Sequence, residues 1–211
     1  MRLSVVVVLV VLVSLSAKAA TPSSDAQRCY VSARVEQHKT VTALARPLHS
    51  EGKLFYSCDH GLVWHTASPI VETLLYSNGK AHYRAVNHAS PELLKDRLHR
   101  QLGTMLMAII GGDQAYIDQH FAVLEHNDTD GNNYTLFEPK KKAFKRRMNS
   151  ISLHQRADSV QVVLNYAKGE VTRIQMSDIE SAPMWSRAWC EAELEPILSC
   201  EFFCQAADRQ C

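Results

Sequence analysis

Apolar and polar positions change rhythm twice along this chain. From Val31 to Val41 they mix, with several β-branched residues among them, and "ALARPLHSEG" then breaks the run at Pro47 and Gly52. Lys53–Cys58 and Leu62–Thr66 are short, aromatic-rich apolar stretches of the kind that form strands, separated by the turn "CDHG". Val71–Tyr76 repeats the pattern, "SNG" supplies a hairpin turn, and Lys80–Val86 returns from it. The first half predicts an antiparallel meander.

The rhythm then lengthens. In "SPELLKDRLHRQLGTMLMAIIGG", Leu94, Leu98, Leu102, Met105 and Ile109 recur at helical spacing, with Leu106 and Ile110 beside them. Ser90 suits the N-cap, Pro91 the first helical position, and Gly111 and Gly112 the stop, so a helix is predicted over Pro91–Ile110. A shorter helix follows, capped by Asp113 and running to His120. The strand rhythm returns in Phe121–His126, Tyr134–Glu138, Phe144–Leu153, Ser159–Ala167 and Val171–Ser177, with "NDTDGNN" and "KGE" as turns. About eight to ten antiparallel strands that curl need something on their concave face. The striped helix is the available cover. The predicted fold is α+β: a curled antiparallel sheet, a half-open β-barrel, with a helical lid over an apolar cavity.

The N-terminus reads as a leader. Arg2 precedes the apolar run Val5–Val13, and Ala17 and Ala19 stand in A-x-A spacing, which predicts cleavage near Ala19. The run is shorter than the ~20 residues that span a bilayer as a helix. The expected organisation is a signal peptide over 1–19, one domain over 20–180 and a Cys-rich extension over 181–211. An exported chain makes disulfides the default for Cys29, Cys58, Cys190, Cys200, Cys204 and Cys211. The crowding of four of them near the C-terminus predicts at least one bridge there. Folding the first hairpin about Pro47 sets Cys58 near Val35 and away from Cys29. That predicts Cys58 as a free thiol or as bridged to the tail.

Chemistry adds little to this picture. A formal net charge of +1 gives no reason to expect nucleic acid. The ten histidines form no H-x-x-x-H and no HExxH, "NDTDGNNYTLFE" misplaces its glycine for a calcium loop, and no nucleotide or hydrolase motif occurs. No metal, cofactor or catalytic residue is predicted. Cys58, Asp59 and His65 are the sole candidates for a lipid- or glycolipid-modifying enzyme, and a non-transporting envelope scaffold is the other alternative. One charge run stands out, Lys140, Lys141, Lys142, Lys145, Arg146 and Arg147, with Phe144 inside it. It reads either as a solvated hairpin edge or as a docking patch for an acidic partner or anionic headgroups.

Several segments resemble the LolA family of periplasmic outer-membrane lipoprotein carriers. These are Val35-Glu36-Gln37, Arg46-Pro47-Leu48, Ser50-Glu51-Gly52, Gly61-Leu62-Val63-Trp64 and Pro69, then "YTLFEPKKKAFKRRMNSISL" and "GEVTRIQMSD". The resemblance covers Val31 to Asp178 and lies in the order and spacing of these pieces. It implies a monomeric, non-catalytic carrier. Such a carrier takes acyl chains of lipoproteins or lipids from an inner-membrane donor complex to an outer-membrane acceptor. Leu54, Tyr56, Trp64, Leu94, Leu98, Leu102, Met105 and Ile109 are the expected lining of its cavity. Cys58 stands where the family has an arginine that locks the lid, and the tail after Ser181 matches nothing in the family.

Overall fold

The structure is a computed structural model that describes residues 29–85, 91–95, 97–129, 131–182 and 185–210. The expected leader and its cleavage point lie outside the described residues, as do Ser90, Cys211 and the side chain of Leu98. Among the described residues, strands β1 (Tyr30–Thr40), β2 (Leu48–Ser57), β3 (Gly61–Ser68), β4 (Glu72–Ser77) and β5 (Lys80–Ala85) form the expected meander. A two-residue strand, β6 (Glu92–Leu93), follows. The second half supplies β7 (Phe121–Thr129), β8 (Asn132–Pro139), β9 (Met148–Gln155), β10 (Val160–Tyr166) and β11 (Val171–Ala182). All eleven join one antiparallel sheet in the order β6-β5-β4-β3-β2-β1-β11-β10-β9-β8-β7. β1 and β11 pair in the middle, so the two meanders meet there. β6 and β7 stay as free edges of an open, curled sheet.

Two helices pack on the inner face: α1 (Arg97–Gly111) and α2 (Gln114–His120). Asp113 caps α2 by accepting from the Tyr116 amide at 2.9 Å. α1 begins later than its apolar spacing predicts. Glu92 and Leu93 extend the sheet edge instead, opposite Tyr83 and His82, and the Leu94 amide donates to the Ala81 carbonyl at 2.7 Å. Pairing with β5 satisfies backbone groups that a first helical turn would leave open. The inner core joins Leu54, Tyr56, Leu62, Met105, Ile151, Val162 and Ile174, all buried.

A second correction concerns Phe144–Leu153, where a strand is predicted. Lys142–Lys145 is one helical turn, α3, and β9 starts at Met148. The turn directs Phe144 against Phe121, ring centroids 6.1 Å apart, while the surrounding cations face water.

The disulfide expectation for Cys58 is overturned: Cys58 is bonded to Cys29. The β1–β2 hairpin turns nearer Ala43 than Pro47, so Tyr30 faces Ser57, and the Cys58 amide donates to the Cys29 carbonyl at 3.1 Å. The expected C-terminal bridge is present as Cys190–Cys200. No described cysteine is free.

The tail forms a second layer, on the outer face of β2–β5. Helical segments Arg187–Trp189 (α4), Cys190–Leu194 (a wider π turn) and Cys200–Ala206 (α5), with the 195–199 link, bury Leu194, Leu198 and Phe203 against Phe55, Val63 and Leu75. Trp189 lies on Tyr30, centroids 4.1 Å apart. The Arg84 guanidinium donates to the Ile197 carbonyl. "LFY", "LVW" and "LLY" in β2, β3 and β4 are unbroken apolar triplets because both faces of this half of the sheet are covered.

Candidate functional site

The strand registers define what lies beneath α1. Val31 faces Tyr56, Tyr56 faces Leu62, Leu62 faces Tyr76, and Tyr76 faces Ala81. These five inward residues form one row across β1–β5. α1 crosses that row from β4 to β2. A Cβ on Gly103 would sit 2.0 Å from the Tyr76 ring, and one on Gly111 would sit 2.2 Å from the Tyr56 hydroxyl. The helix backbone therefore rests directly on two tyrosines, an approach that only glycine permits. Burial, and then the Glu72 charge, push the Tyr76 phenol up to about 12, so it stays neutral under the helix.

The inward rows nearer the 41–47 loop extend past the helix and stay open. There Trp64 and Leu74, together with Leu102 and Leu106 of α1 and Leu164 and Ile174 of β10 and β11, line a cleft of ≈ 430 Å³. That is within the range of about 300–1,000 Å³ typical of small-ligand sites. The floor is apolar. Gln37, Lys39, Ser50 and Glu72 make a polar collar around its opening, while Thr66 and Thr172 are buried in the wall. Leu48, 52% exposed, and Ile70, 68% exposed, add an apolar lip. An apolar floor inside a polar collar matches an amphiphile, with a hydrocarbon part inside and a head at the mouth.

Of the expected cavity residues, Trp64 and Leu102 line this cleft. Leu54, Tyr56 and Met105 are sealed in the inner core beneath α1. Leu94 packs against that core, and Ile109 lines a separate void of ≈ 30 Å³ on the far side of the helix. Gln37, Leu48, Ile70, Leu74, Leu164 and Ile174 went unnoticed in the sequence. Their signal is register, which appears only once each strand's partners are known.

The basic run is scattered in function. Lys140 donates to the Asp118 carbonyl, and Lys145 pairs with Glu138 at 2.8 Å. Lys141, Lys142, Arg146 and Arg147 are exposed. Phe144 faces inward, and with Arg100, Tyr116, His120 and Lys141 it lines a shallow pocket of ≈ 280 Å³.

Cys58, Asp59 and His65 do not converge. Cys58 is consumed in its disulfide. Asp59 is exposed, 3.9 Å from Arg209 of the tail. His65 points to the outer face, its Nδ1 3.0 Å from the Thr73 hydroxyl. The neighbouring His60 is buried, with its Nδ1 3.1 Å from the Ser57 hydroxyl and its ring between Trp185 and Phe203. Burial lowers its pKa, with Asp59 opposing and Arg209 adding to the effect. It is a neutral packing residue of the outer layer.

No family model matches the sequence, and no curated protein matches it. Among solved structures, the chain is similar to a LolA superfamily protein from Nitrosomonas europaea, at 10% identity and a TM-score of 0.42, over 77% of this chain and 92% of the other. It is similar to a DUF1329 family protein from Desulfovibrio piger, at 9% identity and 0.46, over 77% and 89%. It is also similar to a Vibrio parahaemolyticus domain assigned to outer-membrane lipoprotein sorting, at 9% and 0.42, over 75% and 88%. A likeness this distant says nothing about what the chain binds. The cleft's own geometry has to carry that.

Proposed function

We propose that this chain is a non-catalytic carrier that holds an acyl chain of a lipoprotein or lipid in the cleft beside α1. The observation that carries this reading is the row of inward apolar residues that α1 leaves uncovered, opening through a polar collar to an exposed apolar lip. Each methylene hidden from water contributes ~0.8 kcal/mol, so even a partly buried chain is held. The expected leader and the disulfides suit an oxidising compartment, and the reading places the carrier in the periplasm, between an inner-membrane donor and an outer-membrane acceptor. It acts as a monomer. Leu54, Tyr56, Leu94, Leu98, Met105 and Ile109 join Trp64 and Leu102 in the lining when α1 lifts. Lys141, Lys142, Arg146 and Arg147, with Lys140 and Lys145 beside them, form the face that meets anionic membrane. Their reversal to Glu slows transfer to vesicles most at low salt. Native mass spectrometry of protein purified from its host tests the reading. An adduct with the mass of a fatty acid, phospholipid or acylated peptide supports it. A chain that always flies without an apolar adduct, including after incubation with phospholipid, counts against it.

A further inference from the structure

The β1–β2 hairpin carries a second cluster on its outer face, and one member of it, His49, also borders the cleft. His38 and His49 are register partners, and their rings stack with centroids 4.4 Å apart and planes 23° apart. Glu36 faces Glu51 two pairs further along, on the same side of the sheet. The tripeptide Glu36-Gln37-His38 thus lies antiparallel to His49-Ser50-Glu51, and both present an acid and an imidazole on the same side. One donor atom from each of Glu36, His38 and His49 lies within 4.8 Å of the others, and all three side chains are exposed. Glu51 Oε1 lies 3.7 Å from His49 Nε2.

We propose that Glu36, His38 and His49 form a binding site for a divalent transition metal, Zn²⁺ foremost. Two imidazoles and a carboxylate are a donor set for borderline cations of this kind and a poor one for Mg²⁺ or Ca²⁺. Zn–N bonds of about 2.0–2.1 Å set ligand atoms roughly 3.3 Å apart around a tetrahedron, so donors within 4.8 Å of one another need to close by at most about 1.5 Å. Exposed side chains make that movement by rotation. Their Cα positions are fixed, since β1 is held by β2 on one side and β11 on the other. Arg173 of β11 stands in register beside His38, and the two carboxylates outweigh its charge. The fourth position goes to Glu51 or water.

The location gives the site a consequence. Gln37 and Lys39 flank His38 on the opposite face of β1 and belong to the collar of the cleft, as does Ser50 beside His49. A metal on the outside therefore clamps the hairpin that forms one wall of the cleft's mouth. No sequence motif announces it, because the ligands come from two strands and meet by register.

Isothermal titration of the full chain with ZnCl₂ after chelator treatment tests the site directly. Expected is one Zn²⁺ per chain, lost in the His38→Ala/His49→Ala double variant. Affinity should fall at least about tenfold in Glu36→Gln, since even outer-shell changes at metal sites cost that much. Cu²⁺ bound in place of Zn²⁺ should show two imidazole nitrogens by electron paramagnetic resonance. Far-UV circular dichroism confirms that each variant folds. A wild-type chain that takes up no Zn²⁺, a double variant that titrates like wild type, or a Glu36→Gln affinity equal to wild type each overturns the three-residue site. None of these outcomes depends on whether the cleft carries an acyl chain.

Discussion

At the scale of single residues, the seating of α1 depends on two hydrogens where any other residue has a side chain. Gly103 over Tyr76 and Gly111 over Tyr56 let the helix axis approach the sheet. Gly103→Ala forces a methyl into the Tyr76 ring. Overpacking of this kind costs typically about 1–3 kcal/mol, partly relieved if the ring yields. Urea denaturation should show that loss, and Gly103→Ala combined with Tyr76→Leu should recover most of it. A Gly103→Ala protein as stable as wild type would mean that α1 is not held at this distance. Gly52 is more severe. Its Cβ would lie 1.8 Å from the His65 carbonyl oxygen, which is backbone of the paired strand and has no rotamer to escape into. In the sequence Gly52 reads as a breaker and Gly111 as a helix stop. Neither the close approach nor Gly103's role is visible there, because each is set by a residue far away along the chain.

At the scale of elements, the strand rhythm was legible where one face met water and misleading where both were covered. β10 and β11 alternate; the expected bounds are close for β10, whereas β11 starts where expected but runs five residues further, to Ala182. "LFY", "LVW" and "LLY" were read as strands, but their lack of alternation also meant a second cover, which the tail supplies. The tail's own cysteines announced a bridge, and Cys190–Cys200 closes a short loop on which α5 is anchored. Such a bridge contributes typically about 2–4 kcal/mol. The Cys58 pairing is hidden in the sequence because Pro47 looks like the turn, whereas the hairpin turns earlier. The tail's docking should depend on pH through His60. Burial lowers the His60 pKa below the ordinary histidine value in the folded chain. Stability is then fully present above the unfolded pKa of ~6.5 and falls as pH drops from there towards the folded value, because the unfolded chain takes up the proton first. His82, lowered in the same way and lying edge-on to Phe202, acts in the same direction. Denaturation midpoints between pH 7.5 and 5, followed by tryptophan fluorescence, should decline in wild type and decline less in His60→Phe. Parallel profiles for the two proteins would remove His60 from the account.

At the scale of the whole molecule, the sheet curls around α1, is stapled by Cys29–Cys58 at one end of its central hairpin, and is braced outside by the tail. The opposite end, where the 41–47 loop and the β3–β4 connection lie, holds the cleft. The architecture was predictable from periodicity. The location of the opening was not, because it depends on where α1 starts and which rows it crosses. The central claim is that this opening holds an acyl chain. Its most direct test is equilibrium binding of a fluorescent fatty-acid probe to wild type and to Leu102→Gln, a residue on the cleft wall that is only half-buried. Losing the leucine's contact with hydrocarbon costs about 1.5–3 kcal/mol, so the account predicts saturable binding to wild type, affinity at least about tenfold weaker in the variant, and a melting temperature changed by only a few degrees. No saturable binding to wild type, or equal affinity in a folded Leu102→Gln protein, would contradict it.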